Sequence, residues 1–247
     1  MDNFSVVTSV YRYDNPEFVR VALDSMLVYQ TLKPSEIVLV QDGSVPVDLE
    51  RLIFEYEAKY SDVMHIIRLD KNGGLGNALK LGVENATYSL VARMDSDDIC
   101  LPNRFEKQVF FMESHPECDI VGGQMTEFIG KPANIVGKRI VPENNEDIYK
   151  YMKRRCALNH VTVMFRKDSI LKVGNYQDWF WNEDYYLWVR MMMNKCVFAN
   201  LPEVLVNVRS GEDQYARRGG MRYYKSEKGI QKLMLDNHLI NRGGVFC

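Results

Sequence analysis

A chain of 247 residues with 46% hydrophobic content is long enough to bury one large core. Its formal net charge of -2 offers no basic field to nucleic acid, so nucleic acid is not an expected partner. Five scattered cysteines without a Cys-x-x-Cys pair argue against a disulfide framework and a zinc site and fit a reducing cytoplasm, and no run reaches the roughly eighteen apolar residues of a membrane span.

The opening MDNFSVVTSVYRYD lacks the basic start and long apolar run of a signal peptide, so Phe4–Tyr11 reads as a first strand. Arg12–Pro16 makes a turn. Apolar residues at Phe18, Val21, Ala22, Met26 and Tyr29 then recur at helical spacing over Glu17–Tyr29. Glu36–Gln41 (EIVLVQ) is a second buried strand, and it runs into the turn-forming set Asp42-Gly43-Ser44. A helix over Leu49–Tyr60, a third strand over Met64–Leu69, a helix that KNGGLG (Lys71–Gly76) introduces and that ends near Asn85, and a fourth strand over Tyr88–Arg93 follow. Four strands alternating with three helices predict an α/β fold: a mostly parallel, doubly wound sheet flanked by helices, with right-handed crossovers. Ligands of such sheets sit outside the carboxyl ends of the strands, where Asp42, Asn72 and the Asp95–Asp98 cluster all fall.

KNGGLG lacks the full GxGxxG spacing and follows the third strand, so it is not read as a dinucleotide fingerprint. Its glycines suit a tight turn whose amides lie near a phosphate or pack on the neighbouring loop. Leu90–Asp98 (LVARMDSDD) drives a strand-forming run toward the core and stops it in Asp95, Asp97 and Asp98. Acids gathered against apolar walls repel one another, and a divalent cation relieves them. Asp95 and Asp97, at i and i+2 of an extended segment, project to the same side, and their hard oxygens suit Mg²⁺ or Mn²⁺. The competing reading is a solvated acidic turn that caps the helix beginning near Pro102.

Further on, Arg104–Glu113 is helical, and Asp119–Gly123 with Met125–Ile129 look like strands around Gly122-Gly123. The polar stretch Gly130–Asn145, with Pro132 and Pro142, reads as a mobile loop suited to a lid. A short helix over Glu146–Lys153, a strand over His160–Phe165 closed by Arg166–Ser169, and a helix within Phe180–Asn194 come next. Glu183 and Asp184 stand in the first turn of that helix, where the helix dipole favours negative charge. Val197–Val208 supplies further strands, Arg209–Gly220 is a flexible basic segment, and Tyr223–His238 is an amphipathic helix that docks on the core, on a partner or on a membrane surface.

With the β/α units, Asp42, the DSDD cluster and the later Asn182-Glu183-Asp184 in view, the chain resembles inverting glycosyltransferases of family 2 with the GT-A fold, over nearly its whole length. Motif order and spacing carry the match, which is closest to the bacterial subgroup that builds O-antigen, capsule and exopolysaccharide repeats. The resemblance implies a GT-A, Rossmann-like domain over residues 1–210, with a nucleotide-sugar half (1–98) and an acceptor half (99–210). Residues 211–247 then form a basic segment and a C-terminal helical extension.

It further implies that Thr8, Ser9 and Tyr11 flank the nucleotide, that Asp42 meets the uracil or nucleoside, and that Asn72, Gly73 and Gly74 lie beside it. Asp95 and Ser96 then contact the nucleotide sugar, and Asp97 with Asp95 holds Mn²⁺ or Mg²⁺ against the diphosphate. Asp184 is the base and Glu183 its neighbour. Arg217 and Arg218 either close over the diphosphate or belong to a solvated loop, and His160 either faces the phosphates or sits as a satisfied core histidine. Asp98 stays open between a contact behind the metal and a helix cap. The absence of Gln-x-x-Arg-Trp, the signature of processive synthases, implies one sugar per event.

The implied activity is metal-dependent transfer of a hexose from a UDP-sugar to a saccharide acceptor on a polyprenyl diphosphate. It would take place in the cytoplasm or at the inner face of the cell membrane, with peripheral contact through the C-terminal segment and with a homodimer as an open arrangement. Two other readings compete: a sugar nucleotidyltransferase, which would show an arginine- and glycine-rich loop where Arg12–Pro16 stands, and a non-catalytic nucleotide-sugar-binding component of a polysaccharide assembly complex.

Overall fold

Strands covered on both faces need nearly unbroken apolar runs, and three of the first four strands have them. They are β1 (Phe4–Val10), β2 (Glu36–Gln41) and β4 (Leu90–Arg93); β3 (Met64–Arg68) lies at the sheet edge and is only partly buried. The structure, a computed structural model, describes residues 3–211 and 220–241. These four strands pair in parallel in the order β3-β2-β1-β4. The crossovers are α1 (Pro16–Leu27), α2 (Val47–Lys59) and α3 (Leu75–Asn85). Asn15 starts α1 by accepting a hydrogen bond from the Glu17 N–H at 2.9 Å, with Pro16 as the first helical residue.

Beyond β4 the sheet becomes mixed. β8 (Met164–Arg166) runs antiparallel to β4 and to β6 (Ile120–Phe128), β6 lies parallel to β9 (Phe198–Arg209), and β5 (Ile99–Cys100) pairs antiparallel with β9. β7 (Ile135–Arg139) pairs with β6 alone.

Side chains alternate across a strand, and the core divides accordingly. Val6, Ile37, Leu39 and Ala92 face α1, α2 and α4 (Arg104–Ser114), whereas Val7, Val38, Val40 and Val91 face α3, α5 (Asn145–Met152), α7 (Glu183–Met193) and α8 (Met221–Asp236). The last of these helices is integral to the fold: its Ile230 and Met234 are fully buried in the cluster that holds Trp188. A short α6 (Lys167–Lys172) follows β8.

Four expectations change. The stretch read as a mobile lid, 130–145, contains β7, held to Met125–Phe128 by main-chain pairing that its polar composition does not advertise. The two strands expected around Gly122-Gly123 are one, because those residues lack the Cβ atoms that would strike Asn200 Oδ1 and Leu205 Cδ1 of β9. Val197–Val208 likewise forms one long strand. Finally, His160–Phe165 splits into a 3₁₀ turn (His160–Thr162) and β8, since the Thr162 hydroxyl donates to Asn159 O (2.7 Å) and accepts from Gly123 N (3.0 Å).

Candidate functional site

The carboxyl ends of β1, β2 and β4 open into loops that bear most of the expected residues. Asp42 follows β2 directly, and its buried carboxylate accepts from Asn72 Nδ2 (2.9 Å), Gly73 N (2.6 Å) and Gly74 N (3.0 Å). The two loops are thereby clasped. Gly43 completes the clasp: its φ is 85°, and a Cβ there would stand 2.7 Å from Asn72 N. Thr8 is buried on the neighbouring β1, and its Oγ1 has no hydrogen-bond partner among the described residues. Ser9 lies in register with Val40, and the Tyr11 N–H donates to an Asp14 carboxylate oxygen at 3.0 Å.

Asp14, which the sequence places in a turn, sits beside the acidic cluster. It also accepts from Ser96 Oγ at 3.0 Å, which ties the first loop to the acidic cluster. Burial, assisted by the charges of Asp97 and Asp95, raises its carboxyl from 3.8 to about 7 against the lowering pull of its two hydrogen bonds. Burial and then the Asp95 charge lift Asp97 to about 6, and Asp98 rises well above 3.8 for the same reasons. Asp98 caps no helix. It accepts from the Arg209 N–H at 2.8 Å, while Arg209 Nε donates to Asp97 O at 3.1 Å, so the end of β9 holds the cluster's backbone.

Arg93, the last residue of β4, is buried and ion-paired to Asp95. Burial alone would lower its guanidinium, yet the Asp95 charge and hydrogen bond raise it overall. Behind it the fully buried Arg104 donates to Arg93 O at 2.7 Å and fixes the strand end.

The second acidic centre stands at the start of α7. Burial and then the Asp184 charge raise Glu183 to about 7. Asp184 also rises through burial, with Arg139 of β7 and Arg93 among the groups that pull it back. Both acidic centres therefore feel the same buried cation, Arg93. Of the two neighbours, only Asp184 has Arg139 among the charges that oppose its burial.

Cys156 Sγ lies 3.9 Å from Asp184 Oδ2, and Arg139 donates to Cys156 O at 2.8 Å. His160 hydrogen-bonds Tyr176 Oη (2.9 Å) and meets the Trp188 ring edge-on; burial and Arg93 push its imidazole well below 6.5. It is neutral at pH 7 and brings no positive charge to a phosphate.

The turn before α7 is held from the far end of the chain. Ser226 of α8 donates through Oγ to Phe180 O (2.8 Å), accepts from Asn182 Nδ2 (3.1 Å), and receives the Trp179 indole N–H on its carbonyl (3.1 Å). Trp179 stacks on Tyr186, and Arg222 lies over Phe180.

Of the expected residues, the structure thus joins Asp42 with Asn72–Gly74, and Asp95–Asp98 with Arg93. Asp14, Arg93, Arg139, Arg209 and Ser226 were missed; only Arg93 carried a signal, as the one charge in the apolar run LVAR. Arg217 and Arg218 lie outside the described residues.

The sequence model of the family described as glycosyl transferase family 2 matches residues 5–180. The chain belongs to glycosyl transferase family 2. The match stops just before Glu183, so the α7 acids and α8 lie beyond it. This family 2 enzyme is 44% identical over 232 residues to the amylovoran biosynthesis glycosyltransferase AmsE of Erwinia amylovora, covering 94% of this chain and 85% of that protein. It is 37% identical over 224 residues to the UDP-Gal:alpha-D-GlcNAc-diphosphoundecaprenol beta-1,3-galactosyltransferase of Escherichia coli, covering 91% of this chain and 80% of the other. Its fold is that of S. aureus TarS (residues 1–349), solved with UDP-GlcNAc: the TM-score is 0.70 at 16% identity, over 95% of this chain and 67% of that one. The fold of this family 2 glycosyltransferase is therefore GT-A. Among its described residues no helix is long and apolar enough to cross a membrane.

Proposed function

We propose that the chain transfers a hexose from a UDP-sugar, with inversion, to a hydroxyl of a saccharide carried on a polyprenyl diphosphate, as a step in building a bacterial surface polysaccharide. One observation carries the reading: two acidic centres of different surroundings, Asp95/Asp97/Asp98 and Glu183/Asp184, share a common buried arginine, Arg93, at the carboxyl ends of the strands. The nucleotide and acceptor named for the E. coli relative, the polysaccharide named for AmsE and the UDP-GlcNAc bound to TarS support the choice of substrates.

The acidic cluster fits a hard divalent cation. Asp14 and Asp97 are held above their ordinary range by burial and mutual repulsion, which is a surplus of negative charge awaiting compensation. No three His, Cys, Asp or Glu side chains among the described residues are grouped to hold an ion by themselves, so substrate phosphates would have to supply the remaining ligands. Asp97 with Asp95 would hold Mn²⁺ or Mg²⁺, which when bound there supplies Lewis-acid stabilisation of the departing diphosphate.

Asp184 takes the proton of the acceptor hydroxyl as its oxygen bonds to the anomeric carbon and the bond from that carbon to the diphosphate oxygen breaks. Burial raises the Asp184 carboxyl, and the charges of Arg139 and Arg93 oppose that rise. Asp42 fixes the Asn72–Gly74 loop beside the nucleotide.

The test is a mass-spectrometric screen of UDP-hexoses against a synthetic sugar-diphosphate-lipid acceptor, with Mn²⁺ and with EDTA. A product heavier by one hexose, lost in EDTA, is expected. UDP-sugar binding without transfer to any acceptor would instead favour a non-catalytic binding role.

A further inference from the structure

The β7 hairpin combines features that a buried or merely solvated element does not need. Ile129, Ile135, Val136 and Ile140 are 47%, 46%, 53% and 57% exposed, four large apolar side chains within twelve residues. No acid occurs from Phe128 to Pro142, whereas Lys131, Lys138 and Arg139 do. Strand alternation sorts them. Val136, Lys138 and Ile140 point outward, and Arg139 turns in toward Cys156 and Asp184.

Past Ile140 the chain reaches a groove of about 1010 Å³ lined among others by Pro142, Asp147, Lys150, Lys153, Arg154 and Ile240. Lys150 is ion-paired to Glu146 and Asp147, while no ion pair is seen for Lys153 or Arg154 among the described residues. From Phe128 to Cys156 the chain carries seven cations against three carboxylates, although its total charge is -2. Exposed apolar residues interleaved with cations are the composition of an interfacial membrane surface. A second chain adding itself to the edge of β7 would meet the register shift beside Val136 and the outward Lys138, both of which discourage strand pairing.

We infer that the β7 hairpin and the adjoining end of α5 dock on an anionic lipid bilayer. This places membrane contact on the acceptor side of the site, where the sequence had suggested the C-terminal segment. The inference rests on the proposed lipid-linked acceptor. Docking through β7 would present that acceptor next to Arg139 and Asp184.

The test is co-sedimentation of the full chain with vesicles of phosphatidylethanolamine and phosphatidylglycerol, against vesicles of phosphatidylcholine alone. The wild type should bind the anionic vesicles, less so at high salt, and not the neutral ones. Each surface cation removed should weaken binding about five-fold. A variant combining Val136→Ser, Lys138→Gln and Ile140→Ser should therefore bind at least ten-fold less while melting like the wild type. Lys225→Gln with Lys228→Gln on α8 should leave binding unchanged.

Equal binding by wild type and hairpin variant overturns the inference, as does a loss confined to the α8 variant. A concentration-dependent dimer that the hairpin variant dissolves overturns it too, since the occupant would be a second copy. Transfer to a lipid-free acceptor, measured without vesicles, tests the proposed function separately: its failure in the wild type would leave the vesicle result standing.

Discussion

Replacing Asp14 with asparagine should stabilise the fold at pH 8 and change it little at pH 4. The carboxyl's folded value of about 7 lies above the ordinary 3.8, chiefly through burial. A carboxyl raised on folding contributes stability that is fully present below pH 3.8 and lost as pH rises through about 7. At pH 8 the folded state therefore holds a charge it disfavours. At about 1.36 kcal/mol per pH unit, the interval caps the penalty at roughly 4 kcal/mol. Residual solvent contact and relaxation reduce this to about 2 kcal/mol, or some 4–8 °C of melting temperature for a chain of this size. Asparagine Oδ1 can still accept from Tyr11 N and Ser96 Oγ, so the two existing bonds survive the change. Thermal unfolding followed by circular dichroism, in EDTA at pH 4 and pH 8, reads the difference. A gap of equal size at both pH values, or a variant that melts lower at pH 8, refutes the reasoning.

Asp184→Asn should lower transfer by about 10²–10⁴-fold without changing UDP-sugar binding, checked by product formation and calorimetry. Ser226→Ala removes the bonds to Phe180 O and Asn182 Nδ2 and should cost about 1–3 kcal/mol in urea unfolding, with a lower kcat and an unchanged donor KM. Gly43→Ala forces a side chain into a backbone with φ of 85° and against Asn72 N, so it should destabilise by roughly 1–3 kcal/mol in the same assay.

The parallel half of the fold was readable because its information is local: apolar runs such as EIVLVQ, helical spacing in α1 and turn residues at Asp42-Gly43 each specify their own element. β7 was not readable. Its sequence, IVGKR, sits among proline, asparagine and lysine, and only pairing with β6 makes it a strand. The split of His160–Phe165 depends on a Thr162 hydroxyl bond to Gly123, which is equally non-local.

The candidate site divides the same way. Acids repeated in motifs, Asp95–Asp98 and Glu183-Asp184, announced themselves, whereas Asp14 looked like any aspartate in a Tyr-Asp-Asn-Pro turn until the fold set it beside Ser96. Arg139 and Ser226 reach the site only through elements 45 and 42 residues from Asp184 in sequence, too far for spacing to reveal.

That α8 follows α7 and β9 in the chain bears on how the protein is made. A nascent chain that has released β1 through α7 already carries every carboxylate named above, but the turn of Trp179–Asn182 still lacks Ser226, and the cluster around Trp188 lacks Ile230 and Met234. Domains assemble from the N-terminus as synthesis proceeds. The turn ahead of α7 and the packing around Trp188 are therefore completed only once α8 has emerged.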